Sequence, residues 1–147
     1  MKLVNNEIAA AVFRFGHSLL RPSFLRLNKN FQTADEPLRL RHSFFNSDML
    51  FGPNAIDQML RGLTSTSVEV LDSAITEEVK NHLFEDKKIP FSGMDLIALN
   101  IQRARDHGLP GYNAYREKCN LTKAKTFEDL ADEIPVDNIE RLKQVYE

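Results

Sequence analysis

Hydrophobic and polar positions follow a helical period along most of the chain. The helix starts are indicated by capping boxes, in which a short polar residue precedes an acidic residue by three positions. These boxes are Asn54 with Asp57, Ser92 with Asp95, Thr126 with Asp129 and Asp137 with Glu140. The patterns after them predict helices at Ala55–Leu63, Gly93–Asp106, Phe127–Ala131 and Asn138–Tyr146. Ser73, ahead of two acidic residues, predicts one further helix that runs to Phe84.

Glycine and proline predict where these helices end. Gly62 is expected to close the helix that begins at Ala55, and the run Gly108-Leu109-Pro110-Gly111 ends another, because proline cannot continue a helix and glycine caps one. No stretch alternates apolar and polar residues with period two for long enough to predict a sheet. The sequence therefore predicts an all-α chain. Ser23–Phe51 is expected to be a long irregular connection, either functional or wrapped around another part of a larger protein.

The predicted first helix, Glu7–Leu20, is apolar on nearly all sides, which is typical of a helix in a protein interior. It carries Arg14 and His17, which are three positions apart and share a face. A buried arginine needs an anion and a buried histidine needs a partner or a ligand. Gly16 would let a flat ligand approach, and Phe13 or Phe15 could wall it in. The pattern suits haem, with imidazole on the iron and guanidinium on a propionate, but a hydrogen-bonded core histidine with a structural ion pair explains it more commonly.

Asn100 is a further polar residue in apolar surroundings, within the run Met94–Ile101. A buried amide without partners costs about 1 to 3 kcal/mol. An imidazole that binds a metal through Nε2 has an Nδ1 proton to donate, and the side-chain oxygen of Asn100 can accept it from His17. Arg103, three positions on, can share that face and offer a guanidinium to a second carboxylate. Capping of a neighbouring helix by Asn100 is the alternative.

The charges of the 147 residues nearly cancel, since 19 Lys and Arg oppose 21 Asp and Glu and leave a formal net charge of −2. This balance does not favour a nucleic-acid partner. Apolar runs stay short of the roughly 18 to 20 residues that cross a bilayer, so no membrane anchor is expected, and no apolar stretch of a signal peptide precedes Arg14. Cys119 is the one cysteine, which favours a reducing compartment or a disulfide to a cysteine outside these residues.

Four segments of the sequence resemble the animal-type haem peroxidases. They are FRFGHSLL (Phe13–Leu20), DQMLRGL (Asp57–Leu63), TEEVKNHLF (Thr76–Phe84) and, most specifically, LNIQRARDHGLPGYN (Leu99–Asn113). The resemblance covers the chain from Glu7 to its end. It implies that His17 is the axial ligand of the haem iron, that Asn100 accepts its hydrogen bond, and that Arg14 and Arg103 lie beside the haem propionates.

The same resemblance implies that residues 1–147 are a partial peroxidase domain, the proximal haem side. In the family the distal histidine and arginine, the halide-site glutamine, the haem-linking carboxylates and the calcium loop precede this helix, so no distal catalytic residue and no calcium site are expected here. The complete protein is expected to be a secreted enzyme that reduces hydrogen peroxide and oxidises halides, phenols or tyrosines, and the chain alone to be inactive. The disulfide partner of Cys119 would then lie outside this chain. A non-catalytic helical interaction or structural module that retains the scaffold is the alternative.

Three other histidines and one tripeptide are further candidates for chemistry. His107, in the glycine-bounded turn, is expected to make a structural hydrogen bond, and His82 is expected on a charged, solvated face. His42 has no metal-binding spacing around it, because the sequence contains no HExxH or CxxC motif. Asn120-Leu121-Thr122 is an N-glycosylation sequon. A chance match in a chain of this length is common, so the tripeptide gives only mild support for a secretory route.

Overall fold

A computed structural model describes residues 4–146 of the chain, which form two compact units, one ending at His107 and the other beginning at Gly108. Within those residues the structure is mostly helical, with a single two-stranded sheet. The predicted helical fold class is confirmed, and the sheet is an addition that the hydrophobic pattern did not predict. None of the helices in this part of the chain is long and apolar enough to cross a bilayer.

The elements follow one another along the chain as short segments. The α-helices are α1 (Asn6–Ala10), α2 (Ala55–Ser65), α3 (Glu77–Lys80), α4 (Leu96–Asp106), α5 (Tyr112–Lys118) and α6 (Val136–Lys143). The 3₁₀ helices are Val12–Leu19, Leu40–His42, Ser47–Leu50 and Glu128–Leu130, and the strands are β1 (Ser23–Leu27) and β2 (Thr33–Arg39).

The predicted first helix is broken in two. α1 ends at Ala10, Ala11 leaves helical geometry with φ −135° and ψ −67°, and a 3₁₀ helix follows. Its aromatic side chains are not interior, since Phe13 is 74% exposed and Phe15 is 58% exposed. Most helical stability in proteins comes from packing of an apolar face, and residues 4–146 cover little of this segment. The expectation that Glu7–Leu20 is a continuous interior helix is therefore wrong for the chain by itself.

The segment predicted to be irregular, Ser23–Phe51, begins with a hairpin. β1 and β2 pair antiparallel, from Ser23 opposite Arg39 to Leu27 opposite Thr33, with irregular register between. The turn is fixed by Asn28, whose Oδ1 accepts hydrogen bonds from the backbone N–H groups of Asn30 at 2.9 Å and of Gln32 at 3.1 Å. β2 is exposed on both faces. Such a strand carries no alternation of apolar and polar residues, which is why the hydrophobic pattern missed the hairpin.

Helix α2 packs against β1 through Gly62. The helix continues to Ser65, so the expectation that Gly62 closes it is wrong. A Cβ at Gly62 would lie 1.9 Å from the carbonyl oxygen of Leu25. The glycine therefore serves the close approach of helix and strand, a packing reason that a helical glycine can have in place of a cap.

The sequence predicts where several helices begin, but it often assigns the cap to the wrong residue. α4 is capped by Asp95, whose Oδ1 accepts from the backbone N–H of Ile97 at 2.8 Å and of Ala98 at 3.0 Å, so Ser92 is not its cap. α3 is capped by Thr76 and ends at Lys80, well before the predicted Phe84. The predicted helix Phe127–Ala131 is a single 3₁₀ turn, and the last helix is shorter than predicted, ending at Lys143.

A close backbone approach fixes the segment between α3 and α4. Leu83 and Met94 form an antiparallel bridge immediately before α4, and a Cβ at Gly93 would lie 2.0 Å from the carbonyl oxygen of Asn81.

Arg41 donates to the buried carboxylate of Glu78 from Nε at 2.8 Å, from Nη2 at 2.6 Å and from its backbone N–H at 2.9 Å. These hydrogen bonds lower the pKa of Glu78 despite the opposing effect of its burial. The pair joins the chain after the hairpin to α3.

Candidate functional site

Three of the four predicted site residues meet between the 3₁₀ helix Val12–Leu19 and α4. The Nδ2 of Asn100 lies 2.9 Å from the Nδ1 of His17. Arg14 donates from Nη1 to the Oδ1 of Asn100 at 2.7 Å, and from Nε to the carbonyl oxygen of Ala9 at 3.3 Å. The three side chains of His17, Asn100 and Arg14 are half-buried. The amide of Asn100 therefore joins the imidazole to the guanidinium.

The cap at the start of α4 and the packing of α1 bring these residues together. α4 begins at Leu96 after the Asp95 cap, so Asn100 lies in its second turn, on the side that contacts α1. The buried Ala10 lies in α1, and the chain turns at Ala11 into the segment that carries Arg14 and His17. The break in the first helix thus places both side chains opposite α4.

The direction of the hydrogen bond to His17 follows from the chemistry of its neighbours. A guanidinium can only donate, so the amide oxygen of Asn100 must face Arg14. The amide nitrogen then faces His17 and donates to Nδ1, which leaves the proton of the neutral ring on Nε2. The sequence predicted that the oxygen would accept from His17. The structure pairs the same two residues with the opposite direction.

Burial and charge both favour the neutral form of His17. Partial burial lowers the pKa of the imidazole, and the positive charge of Arg14 lowers it further. A neutral imidazole is the form that binds a metal ion. Within residues 4–146, Nε2 has no hydrogen-bond partner. Asn100 therefore holds Nδ1, while Nε2, which carries the ring proton in this arrangement, has no partner among these residues.

The surroundings of His17 leave room for a flat group. A Cβ at Gly16 would have no heavy atom within 4 Å, so the space beside this glycine is open. Phe13 and Phe15, on the same 3₁₀ helix, are exposed. The imidazole of His17 and the guanidinium of Arg14 are the kinds of group that bind haem iron and a haem propionate. In the described part of the chain no group of three or more His, Cys, Asp or Glu side chains could hold a metal ion.

The fourth predicted site residue, Arg103, does not join the other three. It lies one turn along α4 from Asn100, its side chain is exposed, and that side chain makes no hydrogen bond or ion pair with any other residue that the structure describes. Its predicted place beside a propionate stays a prediction.

The sequence predicted the contacts of two other histidines only in part. His107 makes the expected structural hydrogen bond, and its partner is Asn6, whose Oδ1 lies 2.6 Å from the Nδ1 of His107. This bond fastens the start of α1 to the end of α4. His82 pairs with Glu85 at 2.5 Å and is half-buried, so the expectation that it lies on a solvated face is wrong. The bond from Arg14 to Asn100 was not predicted, because the sequence indicated a propionate or an ion pair as the partner of Arg14.

Comparison with known proteins defines the class. The family model for animal haem peroxidase matches residues 2–147, and the chain belongs to this family. It is 42% identical to the human peroxidasin homolog over 145 residues, which are 96% of this chain and 10% of that protein. It is 40% identical to pig thyroid peroxidase over 132 residues, 87% of this chain and 14% of that protein.

A solved structure agrees with this assignment. Peroxidase A from Dictyostelium discoideum matches 97% of this chain with a TM-score of 0.82 and 34% sequence identity. The match takes up 27% of the solved chain. The chain thus spans between a tenth and about a quarter of the length of these relatives.

Proposed function

We propose that this chain is the proximal haem-binding section of a hydrogen-peroxide-dependent haem peroxidase, with His17 as the axial ligand of the iron. The observation that carries the proposal is the imidazole of His17, whose Nδ1 lies 2.9 Å from the amide of Asn100 and whose Nε2 has no partner among residues 4–146. Bound haem would supply the reduction of peroxide and the oxidation of a small substrate such as a halide, a phenol or a tyrosine.

The residues of this chain would have three tasks at such a site. His17 would bind the iron through Nε2, which requires its proton to sit on Nδ1. The Oδ1 of Asn100 would then accept a hydrogen bond from the Nδ1–H of His17, after the amide turns by half a revolution. Arg14 would then give up Asn100 and donate to a propionate, since a carboxylate is a stronger acceptor than an amide oxygen. Arg103, which is exposed and unpaired among residues 4–146, is available to a second propionate.

We further propose that residues 1–147 are part of a larger peroxidase domain. In support, the aligned region fills 27% of the matched peroxidase structure. The side chains around the site also remain open to solvent, among them Phe13, Phe15, Ile97, Leu99 and Ile101. We take these exposed apolar side chains as part of the surface that the remainder of the domain would cover. The base and the cation that peroxide cleavage needs on the distal face would come from that remainder.

The complete protein is proposed to act outside the cell. The family membership and the sequon at Asn120 support a secretory route, and a disulfide from the exposed Cys119 to the remainder of the domain would agree with it.

A haem titration tests the axial ligand. The full chain and its His17→Ala and His42→Ala variants are titrated with haem, and the Soret band is recorded. His42 is the matched control because it is exposed and its side chain makes no hydrogen bond among the described residues. Loss of the band shift in His17→Ala alone supports the proposal. An unchanged spectrum in that variant assigns haem to another residue, and an absence of binding by every variant favours a non-catalytic structural module.

A further inference from the structure

His107 and Asn6 are joined by two hydrogen bonds, although 101 positions of sequence separate them. The Nδ1 of His107 lies 2.6 Å from the Oδ1 of Asn6, and the Nδ2 of Asn6 donates to the carbonyl oxygen of His107 at 3.4 Å. Because an amide oxygen can only accept, the Nδ1 of His107 carries a proton and is the donor. One asparagine thus binds both the side chain and the backbone of the residue that follows α4.

This pair lies on the side of α4 that carries Asn100. Seven positions, close to two helical turns, separate Asn100 from His107, so the two residues share one side of the helix. Asn6 is the first residue of α1, and His17 follows the break at Ala11. The segment from Asn6 to His17 is therefore attached to α4 at both ends, at His107 near its start and at Asn100 near its end.

The attachment at Asn100 changes when haem binds as proposed above. Arg14 then leaves Asn100 for a propionate, and the amide turns to face His17 as an acceptor. In the part of the chain that the structure describes, the side-chain hydrogen bonds between this segment and the end of α4 are those of Asn100 and those of Asn6. The pair of Asn6 and His107 is thus the attachment that does not change during the exchange of Arg14.

Neither core packing nor helix capping accounts for this pair. Both side chains are exposed, so their bond contributes little to the buried interior. The cap of α4 does not use the imidazole either, because the backbone N–H of His107 already donates to the carbonyl oxygen of Arg103 at 3.1 Å. The bond does fix the position of Asn6, and with it the start of α1, on α4.

We propose that His107 is a positioning residue of the haem site, which keeps His17 within hydrogen-bond reach of Asn100 by holding the start of α1 on the end of α4. The proposal rests on the proposed role of His17 as the axial ligand. Among the described residues His107 makes no hydrogen bond to His17 or Asn100, so it acts through the placement of α1. Loss of its side chain would let the segment shift along α4 once Arg14 has released Asn100.

The hydrogen bond between Asn100 and His17 in the haem-free chain is the direct readout. The full chain is labelled with ¹⁵N, and the Nδ1 shift of His17 is recorded where its imidazole is neutral. In His107→Phe, which keeps a ring and removes the donor, we expect this shift to move towards that of an imidazole without a partner at Nδ1. His107→Asn places an amide nitrogen where Nδ1 was and should restore the native shift. His42→Phe, at another exposed histidine, is the control and should leave the shift unchanged.

A double-mutant cycle tests whether the effect passes through the bond. Asn6→Leu should move the His17 shift as far as His107→Phe does, and the double variant should move it no further. A native shift in His107→Phe would overturn the proposal, and so would additive effects, because the two residues would then act separately. Where one single variant unfolds, the other decides. Unfolding of both would also overturn the proposal, since the bond would then hold the fold and not the site.

Haem affinity separates this proposal from that of the axial ligand. We expect His107→Phe to bind haem about 10-fold more weakly, the lower end of what the outer partners of a metal ligand contribute, and His107→Asn to bind as the native chain does. If His17→Ala binds haem as the native chain does, the proposed function fails, while the ¹⁵N shifts still decide the role of His107. If haem binds through His17 with equal affinity in the native chain and in His107→Phe, the proposed function stands and the positioning role fails.

Discussion

Arg14 holds the oxygen of the Asn100 amide, through a hydrogen bond of 2.7 Å that spans 86 positions of sequence. This contact decides which end of the amide reaches His17, because a guanidinium has no acceptor atom to offer the amide nitrogen. The arginine thus sets the tautomer of a histidine that it does not itself contact by a hydrogen bond. Two predictions follow from this arrangement at the proposed ligand.

Removal of Arg14 is expected to release the amide. In Arg14→Met the Oδ1 of Asn100 has no donor to hold it, so it can turn to accept from His17, and the population with the proton on Nδ1 increases. The pKa of His17 also rises but stays below its usual value, because burial is the larger cause of its depression. The ¹⁵N shifts of the imidazole report both changes. Arg105→Gln, an exposed arginine on the same helix, is the control, and equal tautomer populations in the two variants would contradict the argument.

Replacement of Asn100 by aspartate is expected to lower the reduction potential of the bound iron. A carboxylate has only acceptor atoms, so it accepts a hydrogen bond from the Nδ1–H of His17. It is a stronger acceptor than the amide oxygen. A more anionic imidazole stabilises the oxidised iron. The measurement is a redox titration of the haem-loaded complete protein, with Asn113→Asp as the matched control. A potential that stays constant or rises in Asn100→Asp would mean that this residue does not tune the ligand.

Gly62→Ala is expected to loosen the contact between α2 and the hairpin. The new Cβ would overlap the carbonyl oxygen of Leu25, at 1.9 Å, and no flexible side chain is there to yield. Overpacking of this kind costs ~1 to 3 kcal/mol. Amide hydrogen exchange in α2 should therefore accelerate by roughly 5-fold to 150-fold. Gly16→Ala, where a Cβ meets open space, should leave the exchange in α2 unchanged, and similar rates in the two variants would disprove the packing explanation.

The pair of Arg41 and Glu78 is expected to make the region around α3 sensitive to acid. The pKa of Glu78 is lower in the folded chain than its usual value near 4.5, so the stabilisation is complete above that pH and is lost as the pH falls through the folded pKa. Breaking a buried pair of this kind costs about 3 kcal/mol. Amide exchange in α3, corrected for the intrinsic rate at each pH, should show this loss in the native chain. Glu78→Gln should be open already at neutral pH and show no such transition, whereas a parallel pH profile would contradict the assignment.

The features of this fold that depend on residues close in sequence could be predicted, and those that depend on long-range packing could not. The start of α4 is predictable because the capping oxygen of Asp95 and the backbone N–H groups that it accepts from are close in sequence. The start of α2 is also where the sequence predicts it, although Asn54 makes no side-chain cap hydrogen bond. The hairpin has no such mark, since β2 is exposed on both faces and shows no alternation. At the site, an amide in an apolar run pointed to Asn100 and its bond to His17. The direction of that bond depends on Arg14, which arrives through the packing of α1 on α4 and not through any local pattern.

The chain by itself is expected to be a weak peroxidase without a cooperative thermal transition. Phe13 and Phe15 face solvent on one side of the proposed haem site, and an apolar surface of this kind promotes aggregation when nothing covers it. Peroxide cleavage without a distal base forgoes roughly 10² to 10⁴ in rate from acid–base catalysis. Guaiacol oxidation per haem should thus lie near that of free haem, which is the control. A sharp melt together with turnover far above that control would show that these residues suffice for the enzyme, and that the proposed remainder of the domain is not needed for the chemistry.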